Sequence, residues 1–187
     1  FENMPKMRKI NISEKNPYLK SYDDKLIFSK SKESDIFDVL NFAIYNIETA
    51  YIPKYIKIID KDAFLKCKKL QKIEFQEDSN LQTINDYAFA ETSIKSFSIP
   101  VQTNEISRYA FYKCENLQII EISDDSKLKN VENILHGNNV ILMISAKLID
   151  GLNYKKGDQK NNETKMIEHD KMNLFSDYDD NKEENTD

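Results

Sequence analysis

The pair alanine-phenylalanine recurs at Ala63-Phe64, Ala88-Phe89 and Ala110-Phe111, at separations of 25 and 22 residues. Each copy stands in the same frame. Four residues before the alanine lies Ile59, Ile84 or Ile106, and three before that Ile56, Leu81 or Thr103. Four residues after it come Cys67, Thr92 and Cys114, then Leu70, Ile94 or Leu117. A strand-like pair closes each copy: Ile73 and Phe75, Phe97 and Ile99, Ile120 and Ile122. A unit this short cannot bury its own apolar positions, so successive copies must stack and share one core.

Self-similarity at a period of about 20 to 29 residues is the mark of a leucine-rich-repeat solenoid. The expected fold is an α/β repeat solenoid, right-handed, with a parallel β-sheet, short helical turns near each alanine-phenylalanine pair, and an inserted β-hairpin. Ile59, Ile84, Ile106 and Val131 are expected to stack as one ladder, and Phe64, Phe89 and Phe111 as another. The small alanines allow the coil to turn tightly. Side chains alternate across a strand, so Lys72, Glu74, Ser96, Ser98, Ile119 and Glu121 are expected to point away from the core. Solenoids present such extended surfaces to partners.

The string Ile52-Pro53-x2-Ile56-x2-Ile59-x3-Ala63-Phe64-x2-Cys67-x2-Leu70-x2-Ile73-x-Phe75 resembles the BspA-like leucine-rich repeat. Ile99-Pro100 through Cys114, Leu117, Ile120 and Ile122 matches it a second time. The resemblance covers roughly residues 1–146. The family is abundant in surface antigens of host-associated bacteria and of flagellate protists. The resemblance therefore implies a cell-surface or secreted antigen that adheres to host proteins or cells. It also implies a hairpin island between repeats, usually with glycine where Asp24 stands here.

The chain divides into four stretches. Aligning Phe1 with Phe64 places Met4 on Cys67, Met7 on Leu70, Ile10 on Ile73 and Ile12 on Phe75, so residues 1–14 are expected to finish a repeat that begins upstream, in a longer protein. Residues 15–49 break the period. There Lys25 to Ser29 and Phe37 to Phe42 read as strands of a hairpin, preceded by a turn at Tyr22 to Lys25. Residues 50–149 are leucine-rich repeats, the last one degenerate, with Leu128, Val131 and Leu135 on ladder positions, His136 in place of the phenylalanine, and a final strand at Val140 to Ile144. Residues 150–187 are acidic and read as a disordered tail. In it Met166, Ile167, Met172, Leu174 and Phe175 could form a short amphipathic helix, against the plainer reading of a linker.

Composition excludes several functions. The net charge is −5, of which the tail from Gly151 carries −4, so the repeats are nearly neutral and offer no basic footprint for nucleic acid. No apolar run approaches the ~20 residues of a membrane span. His136 and His169 are the two histidines, and no nucleophile elbow, phosphate loop or zinc spacing accompanies them. No enzymatic activity, metal or cofactor is expected. Asp177-x-Asp179-x-Asn181 imitates the start of a calcium loop, but Lys182 stands where glycine is needed. Asn11 and Asn162 open glycosylation sequons, Asn11-Ile12-Ser13 and Asn162-Glu163-Thr164. Cys67 and Cys114 hold equivalent positions two repeats apart. Strand steps of about 4.8 Å would put them ~10 Å from each other, beyond the ~7 Å reach of a disulfide.

The expected function is non-enzymatic protein recognition through the outward row Lys72, Glu74, Ser96, Ser98, Ile119 and Glu121. The partner class is a protein, such as a host extracellular-matrix or cell-surface protein. The alternative is an intracellular leucine-rich-repeat scaffold for protein assembly, because a cytoplasmic location is compatible with the residues themselves.

Overall fold

Ile59, Ile84 and Ile106 fall at the same point of three successive coils, and each is flanked by residues suited to a short extended step. In the computed structural model this column forms the centre of a β-sheet. The structure describes residues 7–135, 141–144 and 166–168. Its strands are β1 Leu19–Tyr22, β2 Leu26–Ser29, β3 Val39–Ala43, β4 Thr49–Ile52, β5 Ile58–Ile59, β6 Lys72–Phe75, β7 Thr83–Ile84, β8 Ser96–Ile99, β9 Glu105–Ile106, β10 Ile119–Ile122, β11 Ile141–Ile144 and β12 Met166–Glu168, with one short helix, α1 Glu132–Leu135. They build a β-solenoid of about four turns with parallel pairing.

Two surfaces of the solenoid are sheets. One has the order β1-β2-β3-β5-β7-β9, where β3, β5, β7 and β9 are parallel and one coil apart. The other is the strand face, made of β4-β6 and of β8-β10-β11-β12. Between them lies one core. Ile59, Ile84, Ile106 and Val131 are all at most 2% exposed, as the ladder requires. Phe64, Phe89 and Phe111 form a column of parallel rings, with centroids 5.1 and 5.4 Å apart and planes within 10°. Ala63, Ala88 and Ala110 are buried beside them.

The short helical turns expected at these pairs are absent, and the backbone explains why. Asp62, Lys66, Tyr87, Glu91, Tyr109 and Lys113 all have positive φ, between 55° and 65°. A left-handed residue every four positions interrupts any right-handed helix. Amides bond instead in two alternating directions. Ala63, Leu65 and Cys67 donate three residues back, to Asp60, Asp62 and Phe64. Asp62, Phe64 and Lys66 donate across to Asp86, Ala88 and Ala90 of the next coil, at 3.1, 2.7 and 2.9 Å. The convex side is thus a ladder of linked turns. Helical geometry occurs only at α1, among the described residues.

The hairpin is continuous with the solenoid. β2 pairs antiparallel with β3, which pairs parallel with β5. β1, which the sequence reading did not mark as a strand, pairs antiparallel with β2. Asp23 and Asp24 make the tight turn between β1 and β2 with φ of 49° and 54°, the work a glycine would do more cheaply. Asp38 is fully buried and ties the hairpin loop down. Its carboxylate accepts from the Ser31 amide and hydroxyl at 2.8 and 3.0 Å and pairs with Lys57 at 3.2 Å. Ile10 and Ile12, aligned above with strand positions, lie in no strand. The Ile10 amide donates to the Asp24 carbonyl, so this segment leans on the hairpin turn. Where helix or linker was expected around Met166, Met166–Glu168 is a strand parallel to β11. The rest of the tail, His136 and the sequon at Asn162 lie outside the described residues.

Candidate functional site: the strand face

On β8 and β10 burial alternates along the strand, whereas on β6 Ile73, Glu74 and Phe75 are all half-buried. Phe97, Ile99, Ile120 and Ile122 are buried, while Ser96, Ser98 and Glu121 between them are exposed. Ser96 lies opposite Ile119 and Ser98 opposite Glu121 in the β8–β10 register, and the Ser98 hydroxyl donates to Glu121 at 2.5 Å. Lys72 and Glu74 sit on β6 and form an ion pair at 2.5 Å. The hydrogen bond to Glu74 raises the Lys72 pKa and keeps its ammonium charged. Ile119 is half-buried, with Ile141 beside it in register.

The six residues therefore fall into two groups. Ser96, Ser98, Ile119 and Glu121 are joined by the β8–β10 ladder. Lys72 and Glu74 belong to the β4–β6 pair, and no ladder hydrogen bond links β6 to β8 among the described residues. Beside Lys72 and Glu74 stand Thr49 and Tyr51 of β4. Tyr51, not among the six residues expected on this face, is 56% exposed and extends it. Its signal was present in Ile52-Pro53, which repeats Ile99-Pro100 at the end of β8.

Two other clusters are structural. Asp60 accepts from the side-chain amides of Asn41 and Asn85, each at 3.1 Å, making a polar ladder along three coils. Cys67 and Cys114 are separate buried thiols that donate to the carbonyls of Ile44 and Phe89 at 3.6 and 3.0 Å. Burial pushes the Cys67 pKa up to about 12 and raises that of Cys114. Such thiols carry no nucleophilic chemistry near neutral pH. Among the described residues no group of three or more histidine, cysteine or carboxylate side chains could hold a metal. No helix there is long and apolar enough to cross a membrane.

Coils of this period, each giving a parallel strand to the strand face and sharing a ladder core, define a leucine-rich-repeat solenoid. The sequence profile of the BspA type leucine rich repeat region, present in 6 copies, matches residues 38–144, and the chain belongs to this family. A leucine rich cell surface protein from Faecalibacterium prausnitzii A2-165 has the same fold, with TM-score 0.51 and 21% identity over 74% of this chain and 43% of that one. The pneumococcal vaccine antigen PcpA aligns with TM-score 0.48 and 18% identity over 83% of this chain and 49% of its own. A leucine-rich repeat protein from Bacteroides ovatus ATCC 8483 aligns with TM-score 0.41 and 16% identity over 74% and 46%. The chain thus spans less than half the length of each of these proteins. No curated protein matches it by sequence.

Proposed function

We propose that this chain is the recognition part of a cell-surface or secreted antigen, and that it binds a host extracellular-matrix or cell-surface protein through the strand face. The observation that carries this reading is the face itself. Its outward side chains, Tyr51, Ser96, Ser98 and Glu121, are exposed beside half-buried Ile119 on a rigid parallel scaffold. Leucine-rich-repeat domains generally bind proteins, and a pre-ordered surface limits the entropy lost on binding. The reading is non-enzymatic, as leucine-rich-repeat domains of this protein-interaction type generally are.

The test is a cell- and matrix-binding assay with the Ser96→Arg, Ile119→Arg variant, whose positions face each other across β8 and β10. Binding is expected to fall at least about ten-fold, since two bulky cations would stand in the contact. Circular dichroism serves as the folding control. Undiminished binding by a folded variant would move the contact off this face.

A further inference from the structure

The ladder of the strand face is interrupted between β6 and β8. In a parallel ladder, alternate residues bond to opposite neighbours. Gln76 donates to Ile52, and Ile119 to Lys95. By that alternation Ile73 and Phe75 of β6, and Ser96 and Ser98 of β8, turn their peptide groups into the gap. The inner side chains register the same opening. Ala50, Ile52, Phe97, Ile99, Ile120 and Ile122 are buried, whereas Ile73 and Phe75 are half-buried. The bulkiest inner side chains of the face meet at this place. Phe75 and Phe97 meet edge to face at 5.7 Å, where other strands offer alanine or isoleucine. Phe97 cannot retreat, because Phe89 and Phe111 hold it at 5.1 and 4.9 Å.

The result is a cleft of about 760 Å³ towards the C-terminal ends of these strands. Glu74, Gln76 and Asp78 line one side, and Ser98, Val101 and Gln102 the other. Two carboxylates and no cation line it. Of the cations nearby, Lys72 pairs with Glu74 and Lys127 hydrogen-bonds Gln102.

We propose that this cleft receives an extended segment of a partner protein carrying lysine or arginine. Its backbone bonds to the open peptide groups of Phe75 and Ser98, its cations meet Asp78 and compete with Lys72 for Glu74, and its apolar side chains cover Phe75 and Ile73. An added strand gains affinity from main-chain hydrogen bonds and specificity from alternate side chains. The proposal rests on the strand face being a recognition surface, and it adds the place on that face and the chemistry of the partner.

The probe is a fluorescein-labelled heptapeptide of alternating lysine and valine, read by anisotropy. A glutamate-valine peptide and a lysine-valine peptide N-methylated at its valines are the comparisons. The lysine peptide is expected to bind at least about ten-fold more tightly than either. Glu74→Gln with Asp78→Asn is expected to weaken it about five-fold. Amide hydrogen exchange is expected to slow at Phe75 and Ser98 on binding. Equal affinity for the three peptides, or slowed exchange confined to other coils, would overturn the proposal. Failure here, with cell binding still lost in the Ser96→Arg, Ile119→Arg variant, would sink the cleft alone. Peptide binding that survives while that variant still binds cells would instead sink the face-wide reading.

Discussion

Replacing Phe89 by alanine probes the core where it is most connected. Its ring is fully buried, stacked between Phe64 and Phe111 and tilted against Phe97, with centroids at 5.1, 5.4 and 5.1 Å. Truncating a buried phenylalanine costs roughly 3–5 kcal/mol, because the cavity does not fully collapse. The upper end applies here, since the rings on both sides are held by their own coils. Among the described residues Phe64 stacks on one ring of the column, so Phe64→Ala is expected to cost less than Phe89→Ala. The Phe64/Phe89 double-mutant cycle is expected to return a coupling of about 0.5–1.5 kcal/mol, the worth of a stacked pair beyond its buried area. Urea unfolding followed by circular dichroism and tyrosine fluorescence suits a chain with no tryptophan. A loss under about 1 kcal/mol for Phe89→Ala, or no coupling to Phe64, would refute the shared aromatic column.

Three further outcomes follow from other parts of the fold. Burial opposes ionisation of Asp38, but hydrogen bonds from Ser31, Ser34 and Lys57 outweigh it and lower its pKa. A lowered folded-state pKa contributes stability above the unfolded value of about 3.9 and loses it as pH falls through the folded value. Denaturant midpoints are therefore expected to fall more steeply below about pH 4 in the native chain than in Asp38→Asn, and parallel curves would remove this role. Iodoacetamide at about pH 8 is expected to leave Cys67 and Cys114 unmodified in the folded chain and to label both in urea; rapid labelling of the folded chain would contradict their burial. At Lys66, with φ of 60°, glycine is expected to keep stability within about 1 kcal/mol, whereas valine, whose branched Cβ resists positive φ, is expected to cost about 1–2 kcal/mol. Equal tolerance of both residues would argue against the left-handed turn.

The ladders were legible because burial leaves a spaced trace. Ile59, Ile84 and Ile106, or Phe64, Phe89 and Phe111, each repeat with period and chemistry together. The convex turns were not legible, because nothing in Lys66, Tyr87 or Tyr109 announces a positive φ; tertiary hydrogen bonds between coils impose it. β1 was missed because Leu19 to Tyr22 is exposed or half-buried and its alternation is weak. Asp38 reads as an ordinary charged residue within an apolar run, and only the folded loop brings Ser31 and Lys57 to it. Of the candidate strand face, the alternation of burial on β8 and β10 followed from the strand period, and that of β6 did not. The gap between β6 and β8 was not legible, because it lies where two phenylalanines, Phe75 and Phe97, become neighbours only after the coils stack.

Residue-resolved amide hydrogen exchange on the chain alone tests the architecture on which both recognition readings depend. Slow exchange is expected at Phe64 and Phe89, whose amides bond between coils, and at Ile119 in the β8–β10 ladder. Faster exchange is expected at Ile73, Phe75, Ser96 and Ser98, which face the open gap. Slow exchange at those four amides would mean a closed ladder and no cleft, and fast exchange at Phe64 and Phe89 would contradict the stacked solenoid itself.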